Sequence, residues 1–173
     1  MKGGVDLKRL RDLVRLFDGL RLLHDELFCV IESKIEAMRR ADVAAIQTAA
    51  ESEQVIVTRL KEREGFRDQL MEAIGQDIGF SAKAARALTV SQLAARLPVP
   101  ERSLVVNAAL KLQVVMAKSA QANRLAATVA RAIVQHMKWV FAAVRPSDAA
   151  PIGYTGRGRT VATADVSLFE AVG

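Results

Sequence analysis

ERSLVVNAALKLQVVMAKSAQANRLAATVARAIVQHMKWVFAAVR, residues 101–145, decides how the rest of the chain is read. Val105, Ala108, Leu112, Val115, Ser119, Ala122, Ala126, Val129 and Ile133 step alternately by three and four, the period of one helix face. A second row, Met116, Ala120, Asn123, Ala127, Ala130, Val134, Met137 and Phe141, runs beside it with the same step. Two adjacent rows make an apolar face wider than one neighbouring helix covers. Either this helix lies between two others of its own chain, or part of the face awaits an outside partner. The Ala-rich middle permits close backbone approach, and bulkier groups follow toward the end. Pro146 stops the helix, because its ring clashes with the preceding turn and it has no amide hydrogen to donate.

Two further periodic segments precede this one. In the first, from about residue 6 to 40, Leu10, Leu13, Phe17, Leu20, His24, Leu27 and Ile31 keep the three-four step, and Ile35 and Met38 continue it after one extra step of four. That is a coiled-coil-like seam on a helix of roughly 50 Å at ~1.5 Å per residue, and it needs a long neighbour. Arg40-Ala41-Asp42 breaks the row, with Asp42 as N-cap of a second helix over about 42–74. Its face, Ile46, Ala50, Val57, Leu60, Leu70, Met71 and Ile74, is interrupted by Glu53, Glu64 and Arg67, and Gly65 leaves its continuity open. The short connection implies that the two run antiparallel.

Gly75, Gly79, Pro98 and Pro100 then punctuate an elbow in which Ser81 and Thr89 each open a short helix within 81–97. After Pro146 the long period is lost and small or turn-forming residues dominate. The expected architecture is all-α: an elongated antiparallel bundle or coiled coil of three long helices over 1–145, with a short helical elbow, and a flexible tail over 146–173.

Composition agrees, with 51% hydrophobic residues, only 5% aromatic, and the apolar count drawn mostly from Ala, Leu and Val. Every apolar run is interrupted by Lys or Arg, so no membrane span is expected. MKGGVDLKRLRDLVRLF at the start lacks an uninterrupted apolar core with a small-residue cleavage site, so no secretory signal is expected and the location expected is cytoplasmic. The lone Cys29, beside Phe28, reads as a small buried hydrophobe. The net charge of +6 is concentrated: Arg102, Lys111, Lys118, Arg124, Arg131, Lys138 and Arg145 face the single Glu101 over residues 101–145, and the remainder sums to zero.

Catalytic or metal chemistry needs converging groups, and the spacing assembles none. His24 and His136 are the only histidines, neither with a His, Cys or carboxylate at metal spacing, and His24 in its apolar seam reads as a hydrogen-bonded core residue. The glycines of GYTGRGR (153–159) lack the Lys-Ser/Thr pair of a phosphate loop, and no preceding strand or following helix is expected there. The reading is therefore of no enzyme, no cofactor and no metal. Arg124, Arg131, Lys138 and Arg145 recur every seven residues as a basic stripe, which makes nucleic acid a competing but weaker partner class. Trp139 lies off both apolar rows in the last turns before Pro146, either covering the end of the bundle or anchoring an interface.

Two long helices, an elbow holding LPVPERSLV (97–105), a last helix with ANRLAATVARAIVQHMKWVF (122–141) and a tail with GYTGRGR resemble the FlgN family of flagellar export chaperones. The family's pair of Asn three residues apart is met at Asn123, with Ala120 at the first position, and Tyr154, Gly156, Arg157, Gly158 and Arg159 resemble its Tyr-Gly-rich, Arg-bearing tail motif. The resemblance implies a cytoplasmic binder of the terminal helical segments of hook-filament junction proteins, which it delivers to the flagellar type III export gate. The wide apolar face suits that role: Val129, Ile133, Val134, Met137, Val140, Phe141 and Val144, with Asn123, would hold a client helix, and Trp139 would stand at the rim. The basic stripe would favour an acidic client, and the tail, through Tyr154, Arg157 and the Leu168-Phe169 pair, would make a short, releasable contact at the gate. The alternatives are a basic helical nucleic-acid binder and a structural coiled-coil subunit whose face is closed by self-association.

Overall fold

The computed structural model describes residues 6–144 and, in the tail, Gly153, Tyr154, Thr160 and Val161. Five helices follow in order: α1 Leu7–Arg39, α2 Val43–Asp77, α3 Ala82–Arg86, α4 Val90–Arg96 and α5 Val99–Val144. By packing, the chain divides into two compact units, Met1–Arg131 and Ala132–Gly173, and the core described next belongs to the first.

Capping side chains set most of the starts. Asp6 accepts from the Lys8 amide, Asp42 from Ala45, and Ser81 from Ala84. Thr89 and Gln92 form a reciprocal capping box at α4. α5 starts at Val99, two residues earlier than the sequence suggests, because Pro100 fits in a first turn, where an amide hydrogen would lack a helical partner anyway. α2 runs unbroken through the exposed Gly65, around which a side chain would meet nothing within 4 Å.

α1 and α2 end alike. The Asp42 amide donates to the Ala37 carbonyl at 3.0 Å and Ala41 to Met38 at 3.2 Å; at the end of α2, Phe80 donates to Gly75 at 2.9 Å and Gly79 to Gln76 at 3.0 Å. These paired bonds are Schellman caps, which need one residue in the left-handed region. Gly79 occupies it at φ +93° without cost, whereas Ala41, at φ 53°, sets its Cβ against the backbone.

The core is the seam expected from the first and last segments. Leu10 and Val105 line one cavity, Phe17 and Leu112 a second, the His24 ring meets the Ser119 hydroxyl at 3.1 Å, and Ile31 and Ile35 cluster with Ala122 and Ala126. Both series ascend together in steps of seven, so α1 and α5 run parallel. α2 descends between the same levels, since Arg9 pairs with Asp77 at 2.6 Å and Lys34 pairs with Glu53 farther up α1. Leu13, Phe17, Leu20, Ile31, Ile74, Leu93 and Val105 are fully buried, each contributing about 1.5–3 kcal/mol by leaving water. Arg102 closes the elbow by donating to the Ala94 and Leu97 carbonyls at 3.0 and 3.1 Å, while Gly75 lets α3 approach so closely that a Cβ there would stand 2.8 Å from that of Ala85.

Three expectations need correction. Cys29 is exposed, because its position on α1 falls beyond the seam that buries Leu13 through Ile35. In the first half of α2 the buried face is turned by one residue, to Ala49 and Ile56 in place of Ala50 and Val57, whereas Leu60, Met71 and Ile74 are buried as expected. In the tail, Gly153–Tyr154 and Thr160–Val161 form an antiparallel two-strand ladder, with Gly153 opposite Val161 and Tyr154 opposite Thr160, where no strand was expected. Tyr, Thr and Val favour extended backbone, which a helical-period search does not register. The expected flexibility of the rest of the tail lies outside the described residues.

Ser119 is the one buried polar side chain among the described residues; its hydroxyl donates to the Met116 carbonyl at 3.1 Å, which leaves its oxygen to accept the His24 Nδ1 proton. Burial lowers the His24 pKa below 6.5, against the opposing pull of Glu64 and Asp25. Folding therefore favours the neutral ring. Stability should be level above the unfolded-state value, fall as the pH drops below it, and level off once the pH is below the folded-state value. Urea unfolding at several pH values checks this, with His24→Gln expected to flatten the slope. In the same assay Ala41→Gly should gain about 0.5–1 kcal/mol, the relief of left-handed strain less the extra entropy of unfolded Gly, and Gly79→Ala should lose stability.

Candidate functional site

The last turns of α5 have an apolar side of their own. At ~100° per residue, Ile133, Met137, Val140 and Val144 share it, with Val134 and Phe141 along one edge. Val105, Ala108, Leu112, Ser119, Ala122 and Ala126 are buried and Val129 is half-buried, but every residue from Arg131 to Val144 is exposed. The sharpest cases are Trp139, Phe141 and Val144, at 70%, 62% and 73% of full exposure. Scattered apolar side chains on a surface are ordinary, whereas here six of the seven exposed ones within the last three and a half turns share one side of the helix.

The expected client-binding residues all lie among the described ones. Ile133, Val134, Met137, Val140, Phe141 and Val144 share the stripe, and Trp139 stands about 100° away from its nearer edge, a rim position on the side opposite Phe141. Asn123 is exposed, on the second row within the first unit. Arg157, Leu168 and Phe169 lie outside the described residues, and of Tyr154 the backbone ladder is described.

The basic residues of α5 divide by use. Arg102 is committed to the elbow, and Lys118 lies 3.8 Å over the Phe28 ring of α1, a cation–π contact. Arg124, Arg131 and Lys138 remain on the surface, and among the described residues Arg131 reaches only the Thr128 hydroxyl at 3.4 Å.

The two apolar rows miss a further edge. Leu104, Val114 and Leu125 are exposed beside the α1–α5 seam, above cavities that include one of about 300 Å³ lined by Leu7, Leu10 and Val14 and one of about 620 Å³ lined by Phe28, Ile35 and Leu125. Their spacing of ten and eleven, three helical turns, was the available signal. Among the described residues, no three His, Cys, Asp or Glu side chains converge as a metal site. No helix among them is long and apolar enough to cross a membrane.

With this geometry the chain also matches a family model described as FlgN protein, over residues 7–162. The chain belongs to the FlgN family. The match spans all five helices and reaches past the two-strand ladder, so the resemblance seen in the sequence extends over most of the chain. FlgN proteins are flagellar export chaperones, a class not known for enzymatic activity, and this FlgN chain is one in that general sense. No curated protein and no solved structure matches the chain.

Trp139 is the only tryptophan of this FlgN chain, so its fluorescence reports on the patch alone. In the free protein the emission should be that of a hydrated indole, quenched by acrylamide nearly as well as free tryptophan. An emission already shifted to the blue and shielded from quencher would mean that the rim is covered without a partner.

Proposed function

We propose that this FlgN-family chain is a cytoplasmic chaperone that holds terminal helical segments of hook-associated proteins and delivers them to the flagellar type III export gate. The observation that carries the reading is the run of exposed apolar side chains at Ile133, Val134, Met137, Val140, Phe141 and Val144 on one face of α5. An amphipathic client helix would lay its own apolar face along this stripe through anchors at i, i+3, i+4 and i+7. Held there, the client could not associate early through the same surface. Trp139 would close one rim, its wide ring covering the client's flank while its N–H stays in water.

The tail has the second role. Tyr154, Arg157, Leu168 and Phe169 would touch the export gate, and the ladder that pairs Tyr154 with Thr160 places the backbone of one of these residues in a defined local frame. A contact made by so few side chains is weak, which suits a handover. The family assignment supports flagellar export as the setting.

Phe141→Ala should weaken client binding by about 2 kcal/mol, roughly thirty-fold, as expected for an aromatic anchor, and should leave the melting temperature unchanged because the side chain is exposed. Pull-down from a flagellated host checks the assignment: the full chain should recover a hook-associated protein and an export component, and a version ending at Pro146 should keep the first and lose the second. Recovery of nucleic acid or ribosomes in their place would contradict the proposal.

A further inference from the structure

We infer that the segment received on this stripe is an amphipathic helix with one acidic flank, its carboxylates recurring every seven residues, and with an uncharged opposite flank; the inference rests on the client-holding reading. Three observations lead to it. First, the two edges of the stripe differ. Val134 and Phe141 are bordered by Arg131 and Lys138, which lie three residues before the first, and four after the first and three before the second. Such spacings put each cation on the adjoining turn of the same side. The other edge has His136, Trp139 and Ala143, with no Lys, Arg, Asp or Glu.

Second, the cations on that edge form no ion pair among the described residues, Arg131 reaching only the neutral Thr128 hydroxyl there. Arg102 and Lys118 are occupied by the elbow and by Phe28, whereas Arg124, Arg131 and Lys138 are exposed at a constant step of seven. A seven-residue step on one helix is met by the same step on a helix packed along it, because both present equivalent positions after two turns. The matching residues on the partner are therefore Asp or Glu at heptad spacing along one flank.

Third, the pattern argues against a second copy of this chain as the occupant. Between Arg102 and Val144, α5 contains no Asp or Glu. Two such stripes laid antiparallel would bring Lys138 and Arg131 toward their own kind, which opposes association, and laid parallel would set each cationic flank against an uncharged one with no carboxylate to meet it. The same cations that recruit an acidic helix thus keep the open stripe from closing on itself. Apolar contact supplies adhesion, and charge supplies the choice of partner and its sidedness.

The test uses the full chain and two synthetic helical peptides of about five turns with an identical Leu/Ile face, one with Glu and its twin with Lys at the flanking heptad positions. Trp139 fluorescence reads the binding. The Glu peptide should bind at least about ten-fold tighter in low salt, the gap should narrow as salt rises, and Arg131→Glu with Lys138→Glu should invert the preference. Equal binding of the twins, unmoved by the double reversal, would overturn the inference while leaving the client-holding reading in place. If neither peptide binds and Met137→Glu still retains a hook-associated protein in pull-down, the stripe is not the client site and both fall. A stable dimer by sedimentation that neither peptide disrupts would overturn the inference by assigning the stripe to a second copy.

Discussion

The structure depends on the apolar seam of α1, where Leu10, Phe17, His24 and Ile31 advance in step with Val105, Leu112, Ser119 and Ala126 of α5 while α2 packs along the same helix. A shared seven-residue step lets two helices stay in contact over many turns, since each new pair arrives at the same side of both. Along α5 the buried groups shrink, from Val105 and Leu112 to Ser119, Ala122 and Ala126, so each turn has less apolar area to hide. Beyond Ala126 the side chains grow large again while burial gives way to exposure. The large residues of the last turns are therefore surplus to this core.

Much of the fold was legible because its signals are local or periodic. The caps at Asp42, Ser81 and Thr89 were readable from residue type alone, since a short polar side chain ahead of an apolar run has few other uses. The weak pattern of α2 has a physical explanation. Glu53 and Glu64 interrupt its apolar row because they face charged or polar partners on α1: Glu53 pairs with Lys34, and Glu64 acts on the His24 ring. A hydrophobicity pattern scores such residues as breaks, although they belong to the contact face. For the same reason the one-residue rotation to Ala49 and Ile56 was hidden, because it depends on where α1 puts Lys34 and its neighbours.

What the sequence did not disclose is tertiary in origin. Cys29 has an apolar neighbourhood in the chain and an exposed one in the fold, a distinction set by which side of α1 meets α5. The edge cavities beside Leu104 and Leu125 are lined jointly by α1 and α5, and no spacing within one helix encodes which residues of another it will meet. The candidate surface was more legible. An apolar face too wide for one neighbour is a property of a single helix, and six of the seven groove residues read from it, all but the half-buried Val129, are exposed.

The central claim is that the last turns of α5 carry apolar surface kept open for another polypeptide helix. Amide hydrogen exchange on the full chain, alone and with a hook-associated protein, addresses it most directly. The account predicts that amides over 132–144 exchange readily in the free protein at every concentration and become protected with the client, while those around Leu112 and Ser119 stay protected throughout. Protection over 132–144 that is already complete in the isolated monomer, or that does not change when the client binds, would contradict it.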